Sequence, residues 1–165
     1  MSSTYVFRLA DGFSFKHRAI GFLEDDESSN MDAGAVFDQL KEKSMRYVRA
    51  GMDCWLDGQI CDSRFHGWPN DPEHDSCLTF KWKEKRQHHR LYGFLCNPKP
   101  ASNRSFRLCV LVFHAYKNDW ATDPTTLNRC CLLQQDFRTT EAIAQVYPEY
   151  GETYLKQRGI SKWKQ

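Results

Sequence analysis

Residues 76–124 read SCLTFKWKEKRQHHRLYGFLCNPKPASNRSFRLCVLVFHAYKNDWATDP, and most of the strands predicted for this chain lie within them. Residues 78–83 alternate between apolar and polar side chains, which predicts a half-buried strand with a cationic polar face. The polar residues 85–87 that follow predict a turn, so the chain is expected to reverse its direction there.

Two further strands are predicted after this turn. The alternation from His89 to Cys96 predicts a strand with Arg90 and Tyr92 on one face and His89 on the other. After a proline-containing loop, residues 106–116 are almost continuously apolar and rich in β-forming side chains, which predicts the most buried strand. The three strands together are expected to form an antiparallel meander.

The sequence before the meander predicts a strand and helices. Residues 4–9 alternate as a first strand, and the acidic run at 24–27 is interpreted as a loop. Apolar residues recur at helical spacing from Asp32 to Leu56, with Asp32 as the N-cap and Gly51 as the place where the helix breaks.

The sequence after the meander is expected to be helical. Asp123 is suited to cap a helix that Pro124 opens. Residues 140–146 and 152–158 predict two more helical segments, and a basic tail at 161–165 follows. The predicted fold class is α+β, with an N-terminal strand and helices, a curved antiparallel β-sheet and C-terminal helices.

Composition bounds the class of protein. The chain of 165 residues is 41% hydrophobic, enough for one core, which predicts a single domain over residues 1–165. No apolar run reaches the roughly 18 residues of a membrane span, and the N-terminus lacks the pattern of a secretory signal. We therefore expect a cytoplasmic protein with no membrane partner. Seven cysteines, an odd number placed mostly in apolar runs, favour reduced thiols.

Residues 61–75 are rich in turn-forming side chains without a period and are interpreted as a surface loop. His66 and His74 lie in this loop. They complete neither a Cys-x-x-Cys nor a His-Glu-x-x-His spacing, which zinc sites commonly use. We therefore predict no metal and no cofactor.

Charge is distributed unevenly along the chain. Residues 1–75 carry 8 Lys/Arg against 14 Asp/Glu, a net charge of −6, whereas residues 76–165 carry 15 against 7, a net charge of +8. The basic part includes aromatic side chains, and this combination neutralises phosphates and stacks on nucleobases. A strand edge protected by lysines is the alternative interpretation. The candidate RNA-binding residues are Lys81, Lys83, Lys85, Arg86, His88 and Arg107.

Two segments of the chain resemble the RelE/ParE toxin superfamily, and within it the HigB-like (phage Gp49-like) branch. Residues 90–94, RLYGF, are similar to the family's Arg-Val-x-Tyr-Phe strand. Residues 112–116, VFHAY, are similar to its Leu-Leu-His-Gly-Phe strand. Pro124, ten residues after His114, matches the Thr-Pro that opens the family's next helix.

The resemblance covers about residues 31–137 and implies a RelE-like fold, with residues 138–165 as a helical and basic extension. It also implies a metal-independent endoribonuclease that cuts messenger RNA, often on the ribosome, and that a small antitoxin protein neutralises. Arginine suits the stabilisation of a phosphate, whereas histidine and tyrosine can move protons. The candidate catalytic residues are Arg90, which matches the family's strand arginine, with His89, Lys117 and Tyr92 for proton transfer; His88 is the alternative to His89.

The chain departs from the family where lysines are usual, since Asn118 and Asp119 stand at a lysine pair and Thr122 at a further lysine. Two alternatives therefore stay open. One is a catalytically degenerate relative, possibly phage-derived, whose sheet binds RNA or a protein. The other is an interaction protein that turns its acidic N-terminal half toward a basic partner or uses it as a nucleic-acid mimic. His114, in an apolar strand, is expected to be a hydrogen-bonded core residue.

Overall fold

The computed structural model describes residues 4–26, 30–117, 124–157 and 159. Within these residues the chain has an α+β fold, as the sequence predicted, with a six-stranded sheet and five helices. The strands are β1 (Tyr5–Leu9), β2 (Arg18–Asp25), β3 (Phe65–Gly67), β4 (Cys77–Glu84), β5 (Gln87–Cys96) and β6 (Arg107–Tyr116). The helices are α1 (Ala33–Asp38), α2 (Glu42–Leu56), α3 (Pro124–Gln135), α4 (Phe137–Ala144) and α5 (Pro148–Gln157).

The strands form one mixed sheet in the order β1-β2-β6-β5-β4-β3. Strands β4, β5 and β6 are the antiparallel meander that the alternation predicted. Strands β2 and β6 pair in parallel, because the intervening helices and strands carry the chain back to the same end of the sheet. The predicted first strand is β1, which pairs only with β2 and forms one edge.

Helices cover both faces of the sheet and divide the core into two layers. We call the two sides the α2 face and the α3 face. On the α2 face, α1 and α2 pack on a buried layer that includes Ile20, Phe22, Phe80, Leu91 and Leu111. On the α3 face, α3 and α4 pack on a layer that includes Phe7, Phe94, Leu108, Val110 and Ile143. Toward the β4–β5 turn, Lys83 and His88 are exposed on the α3 face.

Strand β2 was missed by the sequence analysis, which placed a loop at residues 24–27. Glu24 and Asp25 belong to this strand, and Glu24 accepts a hydrogen bond from Arg8 Nε at 2.5 Å. The strand is buried on both faces, with Phe22 in one core layer and Leu23 in the other. A strand buried on both faces shows no period of two, so alternation cannot reveal it.

The N-terminal helical segment breaks at a different place from the one predicted. The interruption falls at residues 39–41, between α1 and α2, whereas Gly51 lies inside α2 and is buried. Asp32 occupies the N-cap position of α1 but makes no side-chain capping bond. Its Oδ1 instead accepts the backbone N–H of His114 at 2.8 Å, which ties the start of α1 to β6.

The loop predicted at residues 61–75 contains the short strand β3, whose Phe65 pairs with Phe80 of β4.

The C-terminal helices begin earlier than predicted. Helix α4 starts at Phe137 and helix α5 at Pro148. Helix α3 begins at Pro124 as expected. The predicted cap at Asp123 and the basic tail at 161–165 lie outside the described residues.

A β-bulge interrupts the pairing of β5 with β6. Tyr92 pairs with Phe113 but the next residue, Gly93, pairs with Leu111, so that Val112 is the extra residue on β6. Because side chains alternate along a strand, one extra residue turns every later residue to the opposite face. Beyond the bulge, Ala115 faces the same side as Arg90, and Lys117 follows it on that side.

Replacing Gly93 with alanine is expected to destabilise the protein by about 3 kcal/mol, the upper end of the usual cost of overpacking a core. A Cβ at this position would lie 2.0 Å from the carbonyl oxygen of Val110, which as backbone cannot move aside. Urea unfolding measures the change. Gly58→Ala is the control, because Gly58 has a φ of 77° with open space around it. It should cost only the roughly 1–2 kcal/mol of left-handed backbone, and equal losses in both variants would contradict the clash.

Two further observations concern the described residues as a whole. None of the helices in residues 4–26, 30–117, 124–157 and 159 combines the length and apolar character that a membrane crossing needs. All seven cysteines are free thiols, and Cys77, Cys109 and Cys130 are buried.

Candidate active site

Arg90 lies on the α3 face, between Lys81 of β4 and Ala115 of β6. Among the described residues, nothing forms a hydrogen bond with its Nε and Nη1 atoms, which are buried. Burial lowers the pKa of the guanidinium, although arginine keeps its charge at any physiological pH. Buried guanidinium nitrogens without a hydrogen bond are costly to the fold, and such groups cluster at functional sites.

Two lysines share the neighbourhood of Arg90. Lys81 is its direct cross-strand partner, and its Nζ donates to the backbone oxygen of Asp62. Lys117 donates its backbone N–H to the oxygen of His88 at 3.0 Å, which continues the β5–β6 ladder past the end of β6. Burial lowers the pKa of both lysines, and the positive charge of Arg90 lowers each further. The three cations are therefore close enough to repel one another.

His66 completes this group, although the sequence analysis placed it in a loop and assigned it no function. It pairs with Thr79 across β3 and β4, which turns its ring to the α3 face. Burial lowers its pKa to about 4, and the charges of Lys81, Arg90 and Lys117 contribute, with Asp62 opposing them. The imidazole is therefore neutral at pH 7 and can accept a proton.

Aromatic rings line the side of the group next to α3. The indole of Trp68 stacks near the ring of Tyr92 with centroids 6.4 Å apart and an interplanar angle of 25°. Trp68 also meets His66 edge to face at 4.9 Å. Tyr92 is 4% exposed, so it supports Trp68 from the core and is not an open proton donor. Trp68 is half-buried and presents a partly open ring beside the cations.

The arrangement is suited to bind a phosphate and to take a proton beside it. Lys81 and Arg90 line one groove with His88, and none of the described residues that line it is acidic; Asp62 is the acidic neighbour of Lys81 and His66. Within the described ranges, no three His, Cys, Asp or Glu side chains are grouped as metal ligands. We call Lys81, Arg90, Lys117 and His66 the cationic site.

His89 was predicted to act with Arg90, but the structure places it on the α2 face. Its Nδ1 lies 3.0 Å from Nε2 of His114, and its ring stacks on Trp82 with centroids 4.9 Å apart. Burial lowers the pKa of both histidines. His114 is therefore a hydrogen-bonded histidine, as the sequence predicted, and His89 is its partner. The His89 ring lies on the opposite face of the sheet from Arg90, although His89 also lines the groove that reaches Lys81 and Arg90 around β4.

The predicted RNA-binding residues fall into three groups. Lys83 and His88 pair with each other on the α3 face and extend the cationic site toward the turn. Lys85 and Arg86 form the turn itself, with φ values of 50° and 66° that are typical of a type I′ hairpin. Arg107 does not belong to the site. It begins β6, about 25 Å along the strand from Ala115, and pairs with Arg18 on the α2 face.

The residues at which the chain departs from the RelE/HigB pattern, Asn118, Asp119 and Thr122, lie outside the described residues. Only Lys117, the residue before them, is described, and it belongs to the cationic site. The geometry of that site is thus the main observation that bears on function.

Comparison of the chain with protein-family models, with curated proteins and with solved structures finds no match.

Proposed function

We propose that this protein is a metal-independent endoribonuclease of the RelE/HigB type, which cuts messenger RNA and is neutralised by a small antitoxin protein. The observation that carries the proposal is the cationic site, in which a desolvated arginine and two lysines lie beside a neutral histidine. The position of α1 and α2 before the antiparallel meander and of α3 after it also supports the proposal, although β2 and β3 are strands that the predicted order did not include.

The reaction assigns each member of the site a task. Neutral His66 takes the proton of the ribose 2′-hydroxyl, whose oxygen attacks the adjacent phosphorus. Arg90 and Lys81 hold the two non-bridging oxygens, where negative charge increases in the transition state. Lys117 donates a proton to the departing 5′-oxygen, and the lowered pKa of its ammonium makes that proton easier to release. The products are a 2′,3′-cyclic phosphate and a 5′-hydroxyl.

This assignment changes the proton-transfer residues that the sequence suggested. His66 replaces His89, because His66 shares the α3 face with Arg90 and His89 does not. Tyr92 becomes the support of Trp68. Arg90 keeps the task that the resemblance implies, and Lys117 keeps the proton transfer for which the sequence made it a candidate.

A second candidate function is a relative that binds RNA or a protein on the same face but no longer cleaves. The replacement of the family's lysine pair by Asn118 and Asp119 favours it. Binding needs the cations alone, whereas cleavage also needs the proton transfers.

The test uses a DNA oligonucleotide that contains a single ribonucleotide, incubated with the purified protein in EDTA. We expect cleavage at the ribonucleotide with a cyclic phosphate end, and no cleavage of the matched all-deoxy strand, because the 2′-hydroxyl is the nucleophile. Induction of the protein alone should also arrest bacterial growth. Binding of the oligonucleotide without cleavage and without growth arrest would favour the second candidate, and loss of cleavage in EDTA would contradict a metal-independent reaction.

A further inference from the structure

A second cationic groove lies on the other side of β4, between the N-terminal half of α2 and the β4–β5 turn. It has a volume of about 710 Å³. Among its described lining residues, six are basic and one, Glu84, is acidic. The basic residues are Lys41, Lys43, Arg46, Arg64, Lys83 and Lys85. We call this feature the α2 groove.

The α2 groove is continuous with the cationic site. Tyr47, Trp82 and Lys83 line it, and the same three residues line the smaller groove, of about 290 Å³, that reaches Lys81 and Arg90. The connection passes the edge of β4 beyond Lys81, since β3 pairs with residues 78–80 and the backbone N–H of Lys81 donates to the oxygen of Arg64. A flexible polyanion bound at Arg90 can therefore cross this edge and enter the α2 groove while it stays next to basic side chains along its whole path.

The α2 groove also contains a stacking surface. The guanidinium carbon of Arg64 lies 4.2 Å from the centroid of the Tyr47 ring, and Nη1 of Arg64 donates to the backbone oxygen of Tyr47 at 3.0 Å. These contacts hold the guanidinium plane in place, with Tyr47 36% exposed. Arginine planes and tyrosine rings are surfaces on which unpaired bases stack.

We propose that the α2 groove binds the single-stranded RNA that flanks the cleaved phosphate. The proposal rests on the proposed function and extends it, because it makes the substrate a strand of several nucleotides that crosses the β4 edge. A strand of RNA fits both features of the groove, since phosphates pair with the lysines and bases stack at Arg64 and Tyr47. An acidic protein segment would use the lysines only.

The test measures the affinity of a 12-nucleotide and a 3-nucleotide RNA, both 2′-O-methylated so that they cannot be cleaved, as a function of salt. The variant is Lys41→Ala/Lys43→Ala. Each phosphate contact on a single strand contributes roughly 0.7 to the slope of log K against log salt. Loss of two contacts should lower the slope for the 12-nucleotide RNA by about 1.4, which is roughly 25-fold weaker binding near 0.1 M salt. Binding of the 3-nucleotide RNA should not change.

The matched control is Lys16→Ala/Lys156→Ala, which removes the same charge from exposed residues that do not line the groove. An equal loss in the control would show that only net charge matters and would overturn the proposal. Arg64→Ala should also weaken binding of the 12-nucleotide RNA. It should lower the slope of log K against log salt by no more than the roughly 0.7 that one phosphate contact contributes. If polyglutamate of equal charge competes as well as RNA, the groove binds an acidic partner and the proposal is wrong.

The two proposals can fail separately. If the wild-type protein binds the 12-nucleotide RNA through Lys41 and Lys43 but cleaves nothing, the endoribonuclease assignment fails and the RNA groove stands. If the protein cleaves the single-ribonucleotide substrate while Lys41→Ala/Lys43→Ala binds like the wild type, the groove fails and the cleavage site stands.

Discussion

Replacing Arg90 with alanine is expected to lower the rate of RNA cleavage by roughly 10²–10³-fold, the usual effect of removing one group that stabilises charge in the transition state. Arg90 is central to the cationic site, paired with Lys81 and close enough to Lys117 to lower its pKa. The loss should fall on kcat, because charge on the phosphate increases between the bound substrate and the transition state. Single-turnover cleavage of the single-ribonucleotide substrate measures it.

Stability distinguishes this effect from damage to the fold. The Nε and Nη1 atoms of Arg90 are buried without a hydrogen-bond partner among the described residues, so the wild-type protein bears the cost of that desolvation. Arg90→Ala should therefore unfold at the same or a higher urea concentration while it loses activity. Lys16→Ala, at an exposed position that lines neither groove, is the control and should leave the rate unchanged. A less stable Arg90→Ala variant that retains full activity would exclude a catalytic task for this arginine.

Replacing His66 with glutamine is expected to lower the rate of cleavage by roughly 10²–10⁴-fold, the contribution of a general base. The pH dependence supplies the specific signature. Because the pKa of His66 is about 4 in the free protein, kcat/KM should rise with pH up to about pH 4 and then level off. In His66→Gln this acid limb should be absent. Glutamine has a similar size and remains polar, so the β3–β4 pairing should survive.

The pKa of His66 can be measured by NMR titration of its ring, independently of cleavage. Burial lowers this pKa first, and the fields of Lys81, Arg90 and Lys117 lower it further. Arg90→Ala should therefore raise the pKa of His66 toward 6.5 without reaching it. His89→Gln, on the opposite face, is the control and should leave it unchanged. A His66 pKa near 6.5 in the wild-type protein would contradict both the burial of the ring and the nearby cations, whereas a lowered pKa that Arg90→Ala leaves unchanged would contradict the effect of Arg90 alone.

The same shift links His66 to stability. Its pKa is lower in the folded protein than the roughly 6.5 of an unfolded chain, so the folded state binds fewer protons between these values. The contribution of neutral His66 to the free energy of unfolding is present above about pH 6.5 and decreases as the pH falls toward 4. His66→Gln should remove this part of the acid sensitivity.

The meander, and the side of the sheet on which most of its residues lie, could be predicted because the alternation of apolar and polar side chains can be read within a single strand. Residues 78–83 have apolar side chains at every second position, and the turn at Lys85 and Arg86 follows directly, so β4, β5 and the side of Arg90 could be inferred from sequence. Strand β2 was not predictable in this way, because burial on both faces removes the period of two. Strand β3 is three residues long, too short to show a period.

The cationic site was predictable only in part, because its members come together through strand pairing over long distances in sequence. Arg90 and Lys81 meet across a hairpin, which the sequence does indicate. His66 joins them only because β3 adds to the far edge of β4, and nothing in the turn-rich residues 61–75 indicates that pairing. Arg107 shows the opposite error. Arg107 belongs to the same basic part of the sequence as Arg90, which is why the two were grouped. In the structure it begins β6 and lies on the α2 face, on the other side of the sheet from Arg90.

The extra residue at Val112 has a consequence for how this surface could be lost. Without the bulge, the residues after Leu111 would pair one position earlier, so that Val112 would lie opposite Tyr92 and His114 opposite Arg90. The imidazole of His114 would then turn toward the cations and Lys117 toward α2, although every chemically active side chain would be kept. Deletion of Val112 should instead preserve the pairing of Tyr92 with Phe113 and the sides of the later residues, so the surface depends on the register of pairing after Leu111 and not on which active residues the chain contains.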